Sequence, residues 1–150
     1  MEIQKWLKYP VYCVKLLDSI QHARDIMETQ RINQLAVVVG GQLVGILTDR
    51  DLRAAYPSVF DSPALGSRKP RTSAADPKAV TVEMVMTTNV LTLTPHDSMV
   101  DAARLMRRER IGAVPIVDGN RLVGILTRSD VLDAFVALAR SVSPEQHGSR

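Results

Sequence analysis

The chain repeats itself. Leu43-Val44-Gly45-Ile46-Leu47-Thr48 returns as Leu122-Val123-Gly124-Ile125-Leu126-Thr127, so that Gly45 recurs as Gly124, 79 positions on. The same offset pairs Asp18-Ser19 with Asp97-Ser98, Ala23 with Ala102, Met27 with Met106, Arg31-Ile32 with Arg110-Ile111, Val38 with Val117 and Asp51 with Asp130, without a gap. A register held over that span makes the chain two copies of one supersecondary unit, running roughly from Ile3 to Tyr56 and from Val82 to Leu138.

Each copy reads as strand, helix, strand, strand, helix. The first strand, Val11 to Leu16 or Val90 to Thr94, is rich in β-branched and other apolar residues and stops at an Asp-Ser pair suited to capping a helix. In the helix that follows, Ile20, Ala23, Ile26 and Met27 fall near one face, as do Met99, Ala102, Ala103 and Met106, while Arg24, Asp25, Arg107 and Arg108 lie outside it. The methionines are therefore core residues. Ala36 to Val39 and Leu43 to Leu47 form a hairpin around Gly40-Gly41, and Ala113 to Val117 and Leu122 to Leu126 form another around Asp118-Gly119-Asn120, residues that favour a tight turn. Closing helices follow at Asp49 to Tyr56 and Ser129 to about Arg140, the second with a longer apolar face through Val131, Leu132, Phe135 and Leu138.

A copy of about 55 residues buries too little surface to be comfortable alone, and its small sheet keeps one apolar face bare. Two copies packed sheet to sheet solve this. The chain then divides into a first repeat at 1–56, a linker at 57–78, a second repeat at 79–140 and a flexible tail at 141–150. The linker is dominated by Pro, Ser, Ala and basic residues without periodicity and reads as a solvated connector, with a short helix near Thr81 to Met86 leading into the second copy.

Composition excludes several classes. The apolar runs are far shorter than the ~20 residues that cross a bilayer, and Met1-Glu2-Ile3-Gln4 lacks a signal-peptide pattern, so a cytoplasmic location with no membrane partner is the expectation. The single cysteine, Cys13, lies in an apolar strand pattern and reads as a buried thiol. His22, His96 and His147 have no metal-ligand spacing, Asp49 and Asp51 have no nucleophile or His nearby, and there is no phosphate-binding glycine loop, so neither a metal nor catalysis is indicated. The basic run Arg68-Lys69-Pro70-Arg71, with Arg107, Arg108 and Arg110, is thin evidence for nucleic acid.

The informative feature follows each hairpin. Gly45-Ile46-Leu47-Thr48-Asp49-Arg50-Asp51 and Gly124-Ile125-Leu126-Thr127-Arg128-Ser129-Asp130 both read Gly-apolar-apolar-Thr-x-x-Asp. This places a hydroxyl and a carboxylate at the amino end of a helix, where free backbone N–H groups and the helix dipole attract anions. The carboxylate can accept from two ribose hydroxyls while Thr, backbone donors and Arg50 or Arg128 hold a phosphate. The same spacing equally describes a capping box that only stabilises a helix start.

In this ordered combination the sequence resembles a pair of cystathionine β-synthase (CBS) domains, also called a Bateman module. The second copy carries the closer likeness, in Val85-Met86-Thr87-Thr88-Asn89-Val90-Leu91-Thr92-Leu93, Asp97-Ser98, Ile111-Gly112-Ala113-Val114-Pro115-Ile116-Val117-Asp118 and Leu122 to Thr127. The resemblance implies an α/β (α+β) fold of two β-α-β-β-α repeats related by a pseudo-twofold axis, with two clefts between them and frequent dimerisation. It implies further that AMP, ADP, ATP or S-adenosylmethionine is held there as a regulatory ligand, not a catalytic cofactor. Thr48, Arg50, Asp51, Thr127, Arg128 and Asp130 would then face ribose and phosphate; Val11, Tyr12, Gln34 and Ala36, or Val90, Leu91, Ala113 and Pro115, would face adenine.

The two corners differ. Asp49 beside Thr48 adds negative charge where Arg128 beside Thr127 adds positive charge, and Ala36 stands where the second copy has Pro115. The Thr127 to Asp130 corner is thus the better anion site. The function these features imply is non-enzymatic: a homodimeric sensor that binds an adenosine-type ligand and signals to an unknown target protein by conformational change. A ligand-free dimerisation or docking module is the alternative, and nucleic-acid binding a weaker one.

Overall fold

The computed structural model describes residues 1–55 and 76–143. Tyr56, most of the connector with its Arg68 to Arg71 run, His147 and most of the tail lie outside the described residues. The elements are β1 (Cys13–Val14), α1 (Ile20–Gln30), β2 (Gln34–Val39), β3 (Gln42–Thr48), α2 (Asp49–Ala55), α3 (Met99–Glu109), β4 (Ala113–Asp118), β5 (Arg121–Thr127) and α4 (Arg128–Val142). The result is a mixed α/β fold of two compact units. The first gathers residues 12–55, 76–90 and 120–122; the second gathers residues 1–11, 91–119 and 123–143.

Local chemistry sets the element boundaries. Asp18 and Asp97 each accept a hydrogen bond from the backbone N–H three residues earlier, Lys15 at 2.9 Å and Thr94 at 2.7 Å. Those bonds close a turn and take donors that a longer strand would need. The first strand is accordingly shorter than its apolar run suggested: β1 has two residues, and the second copy keeps only a parallel bridge between Leu93 and Ile116. Ser19 and Ser98 then cap α1 and α3, each accepting from the N–H three residues on. Both helices end on an arginine in the left-handed region, Arg31 and Arg110, each at φ 55°. The chain then turns back onto the helix, with Ile32 N–H donating to Met27 O and Ile111 N–H to Met106 O.

In the first unit β1 runs parallel to β2, and β2 pairs antiparallel with β3. Gly40 and Gly41, at φ 57° and 80°, make the two-residue turn. Alternation along β1 points Val14 inward and leaves Cys13 exposed, which corrects the expectation of a buried thiol. Partial burial still pushes the Cys13 thiol pKa up. In the second unit β4 and β5 are hydrogen-bonded neighbours. The methionines are core as expected: Met27 packs with Ile20, Ala23, Leu35 and Leu47, and Met99 and Met106 with Ala102, Ile116 and Leu126.

Each core is completed by the segment that precedes the other copy's first strand. Ile3 is fully buried among Met99, Ala102 and Ile116, and its N–H donates to Asp97 O at 3.0 Å. Val82, 79 positions on, is fully buried in the first unit in a single 3-10 turn, Val82–Met84, with its N–H on Asp18 O at 2.8 Å. Four positions beyond each, Leu7 and Met86 press on a glycine. A Cβ on Gly124 would stand 2.8 Å from Leu7 Cδ2, and one on Gly45 would stand 2.7 Å from Met86 Sδ and 3.0 Å from Thr87 O.

These contacts set the expected cost of adding a methyl group. At Gly45 one obstacle is backbone, held by reciprocal bonds between Ile46 and Thr87, whereas at Gly124 it is the end of a leucine side chain that can rotate. Gly45→Ala should therefore destabilise by about 1–3 kcal/mol in urea unfolding, and Gly124→Ala by clearly less. Leu7→Ala should relieve the second substitution. Equal losses at the two glycines would show that the backbone contact is not the constraint.

Candidate functional site

The two Thr-x-x-Asp corners sit where β3 runs into α2 and β5 into α4. At the first, Thr48 N–H donates to Asp51 Oδ2 at 2.9 Å, and Asp51 N–H donates to Thr48 Oγ1 at 3.1 Å. At the second, Thr127 N–H and Oγ1–H donate to Asp130 Oδ2 at 2.7 and 2.9 Å, and Asp130 N–H reaches Thr127 Oγ1 at 3.4 Å. Both are reciprocal capping boxes, so each carboxylate is pinned at a helix entrance. What distinguishes the corners is the partner of the remaining oxygen.

At the second corner that partner is Lys8. Its Nζ lies 2.6 Å from Asp130 Oδ1 and 3.6 Å from Asp133 Oδ2, and Asp130 is only 3% exposed. At the first corner the equivalent position, 79 residues on, is Thr87, whose hydroxyl sits 3.4 Å from both oxygens of Asp51. One carboxylate is thus charge-paired and nearly sealed, and the other is half-buried beside a neutral hydroxyl. Neither Lys8 nor Thr87 was singled out from the sequence. The offset pairs them, but only the fold brings each to its Asp.

The remaining expected residues fall as follows. In the first unit Gln34 is the β2 partner of Thr48 and Ala36 that of Ile46; Ala36 is fully buried, Tyr12 and Val90 are half-buried, and Arg50 is exposed. In the second unit Gly112 O, one residue before Ala113, accepts from Arg128 N–H at 3.1 Å. Pro115 is buried and its carbonyl accepts from Leu93 N–H, while Val11 and Ala113 are half-buried and Leu91 is 43% exposed. The Arg128 side chain lies about 3.8 Å from the point where a Cβ on Gly112 would stand, so it rests over bare backbone. Thr127, Arg128 and Asp130 are therefore together at one helix entrance, as are Thr48 and Asp51 at the other. Among the described residues no group of three or more His, Cys, Asp and Glu is placed to hold a metal ion, and no helix is long and apolar enough to cross a membrane.

Lys8 has a raised pKa, first because it hydrogen-bonds Asp130 and then because the same carboxylate attracts its charge. A cation whose folded pKa exceeds its unfolded value stabilises fully below the unfolded value, near 10.5 here, and loses that contribution as pH rises through the folded value. The Lys8 side chain is 67% exposed, so solvent screening keeps the term at about 1 kcal/mol or less. The stability difference between the wild type and Lys8→Ala should be level from about pH 7 to 10 and shrink above that. A difference indifferent to alkaline pH in urea titrations would show that the pair contributes nothing.

Comparison with known proteins adds the following. The CBS domain family model matches residues 3–58 and 82–137. A CBS domain-containing protein of Dictyostelium discoideum is 31% identical over 145 residues, covering 95% of this chain and 97% of its own. Among solved structures, the CBS domain pair of protein MJ0100 in complex with 5'-methylthioadenosine and S-adenosyl-L-methionine superposes with TM-score 0.72 at 28% identity, covering 92% of this chain and 98% of that one. CBSX2 in complex with AMP superposes with TM-score 0.74 at 25% identity, covering 93% and 98%.

Proposed function

The chain belongs to the CBS-domain family, with two repeats in tandem, and on that premise we propose that it is a regulatory, non-catalytic module that binds an adenosine-containing ligand at its Thr-x-x-Asp corners. The observation that carries the reading is the second corner. There a hydroxyl and a pinned carboxylate stand at one helix entrance, with Arg128 between them in the chain. Hydroxyl and carboxylate suit the vicinal hydroxyls of a ribose, and the guanidinium suits a phosphate. Relatives of the same fold hold AMP, 5'-methylthioadenosine and S-adenosyl-L-methionine.

Val90, Leu91, Ala113 and Pro115, with Val11, Tyr12, Gln34 and Ala36 in the other copy, are the residues we assign to the base. Lys8 adds a condition. A ribose that takes Asp130 Oδ1 must displace or share the Lys8 ammonium, which would then be free to follow an anionic ligand. In this reading ligand binding shifts a conformational equilibrium by the difference in affinity between its two arrangements, and a target protein in the cytoplasm reads the shift.

Asp130→Ala should weaken AMP or ATP binding by about 1.5–3 kcal/mol, the worth of a charge-assisted bond to ribose. Calorimetry on protein shown by circular dichroism to be folded tests this. Unchanged affinity would remove Asp130 from the site, and a panel of AMP, ATP and S-adenosylmethionine that fails to bind would remove the adenosine reading.

A second reading has its own observation. On α4, Leu132, Phe135, Val136 and Val142 share a face and are 63%, 67%, 45% and 72% exposed, and Leu138 beside them is 49% exposed. A stripe of that size suits association with a second copy. If the chain is a homodimer through α4, Phe135→Glu should convert it to a monomer in sedimentation at micromolar concentration. A variant that sediments like the wild type would exclude this face.

A further inference from the structure

Between α3 and α4 the second unit carries an open cleft of about 410 Å³. Met106, Val131 and Leu132 contribute apolar lining, and Arg107, Arg110 and Arg128 contribute guanidinium groups. Among the described residues none of these three arginines has a carboxylate within 4.0 Å. Three unneutralised cations around one concavity repel one another, and one of them, Arg128, begins a helix, where the dipole disfavours positive charge. Arg107, in the last turn of α3, agrees with that helix's dipole, but neither helix requires all three cations on one concavity.

The other copy provides an internal control. Seventy-nine positions earlier Arg107 is Glu28, Arg128 is Asp49, Leu132 is Arg53 and only Arg110 keeps its charge, as Arg31. There the charges are settled internally: Arg24 Nε lies 3.0 Å from Glu28 Oε1, and Arg53 Nε lies 3.1 Å from Asp49 Oδ2. The equivalent helices form in both copies, so the three-arginine cleft is an addition to the fold and not a requirement of it.

We propose that this cleft is a site for a small phosphorylated metabolite, whose phosphate is taken by Arg107, Arg110 and Arg128 and whose apolar or planar body lies on Met106, Val131 and Leu132. Guanidinium groups match phosphate oxygens in number and geometry. The volume suits a small molecule, and a concave cleft with an apolar lining differs from the extended basic stripe that a nucleic acid backbone needs. The site shares Arg128 with the adenosine reading but goes beyond it, because it requires neither a ribose nor Asp130.

The probes are 1-naphthyl phosphate and inorganic phosphate, titrated by calorimetry into the full chain at 150 mM KCl. Naphthyl phosphate should bind, and more tightly than inorganic phosphate by about tenfold or more, since the lining rewards the aromatic body. Arg107→Ala combined with Arg110→Gly should lower naphthyl phosphate affinity at least about tenfold. Glycine is chosen because Arg110 stands at φ 55°, so the variant is conformationally relieved there and its fold is retained. Arg104→Ala, which removes the same charge from α3 outside the cleft, should leave affinity within about twofold. Absence of naphthyl phosphate binding, equal loss in the Arg104 variant, or arginine-dependent binding of a 20-nucleotide strand alone would each overturn the proposal. Naphthyl phosphate binding in a protein that ignores AMP, ATP and S-adenosylmethionine would uphold it while removing the adenosine reading.

Discussion

Both units depend on a backbone arm lying against a strand position that has no side chain. Gly45 and Gly124 sit mid-strand, where glycine costs stability and contributes no packing, and each is met by a residue from an arm, Met86 or Leu7. A side chain at Gly45 would press on the arm's own backbone and move what it carries, whereas one at Gly124 would first have to turn the Leu7 side chain aside. The arm carries the buried Ile3 or Val82, which closes the core, and one residue past the glycine contact it carries Lys8 or Thr87 to the helix-entrance carboxylate. Core closure and site chemistry are thereby coupled through one arm in each unit, which backbone hydrogen bonds such as Ile3 N–H to Asp97 O and Val82 N–H to Asp18 O also hold.

That coupling explains which parts were legible in sequence. The Asp-Ser pairs announced their helices because the signal is local: a side chain satisfies N–H groups within three residues. The hairpins were legible for the same reason, through Gly40-Gly41 and Gly119, and so was the core face of α1 and α3 through its helical period. The first strands were overestimated because an apolar run does not reveal that an aspartate side chain will take the next backbone donor. Cys13 was misplaced because apolar neighbours say nothing about phase, and the pleat turned Val14 inward instead.

The site was legible only as far as each Thr-x-x-Asp motif reaches. The pattern located both capping boxes, but Lys8 lies 122 positions from Asp130 and Thr87 lies 36 from Asp51, separations over which no local rule connects side chains. The repeat offset offered a partial clue, since it makes Lys8 and Thr87 equivalents, and so whatever one touches the other should touch in its own unit. It could not say that the contact would be an ion pair in one copy and a neutral hydrogen bond in the other. That difference follows from the identity of one residue at an otherwise shared position.

Divergence between the copies runs in one direction. In the first, Asp49 at the start of α2 agrees with the helix dipole and is paired to Arg53, so charge serves stability. In the second, Arg128 at the start of α4 opposes the dipole, the capping box must offset it, and among the described residues no carboxylate answers it or its neighbours Arg107 and Arg110. Lys8 stands apart from these three, its charge answered by Asp130 and Asp133. A fold under selection for stability alone would relax such a concentration of like charge, as the first copy has. On the proposal of an anion site in that cleft, the electrostatic energy withheld from folding in the second copy would be returned when the anion binds.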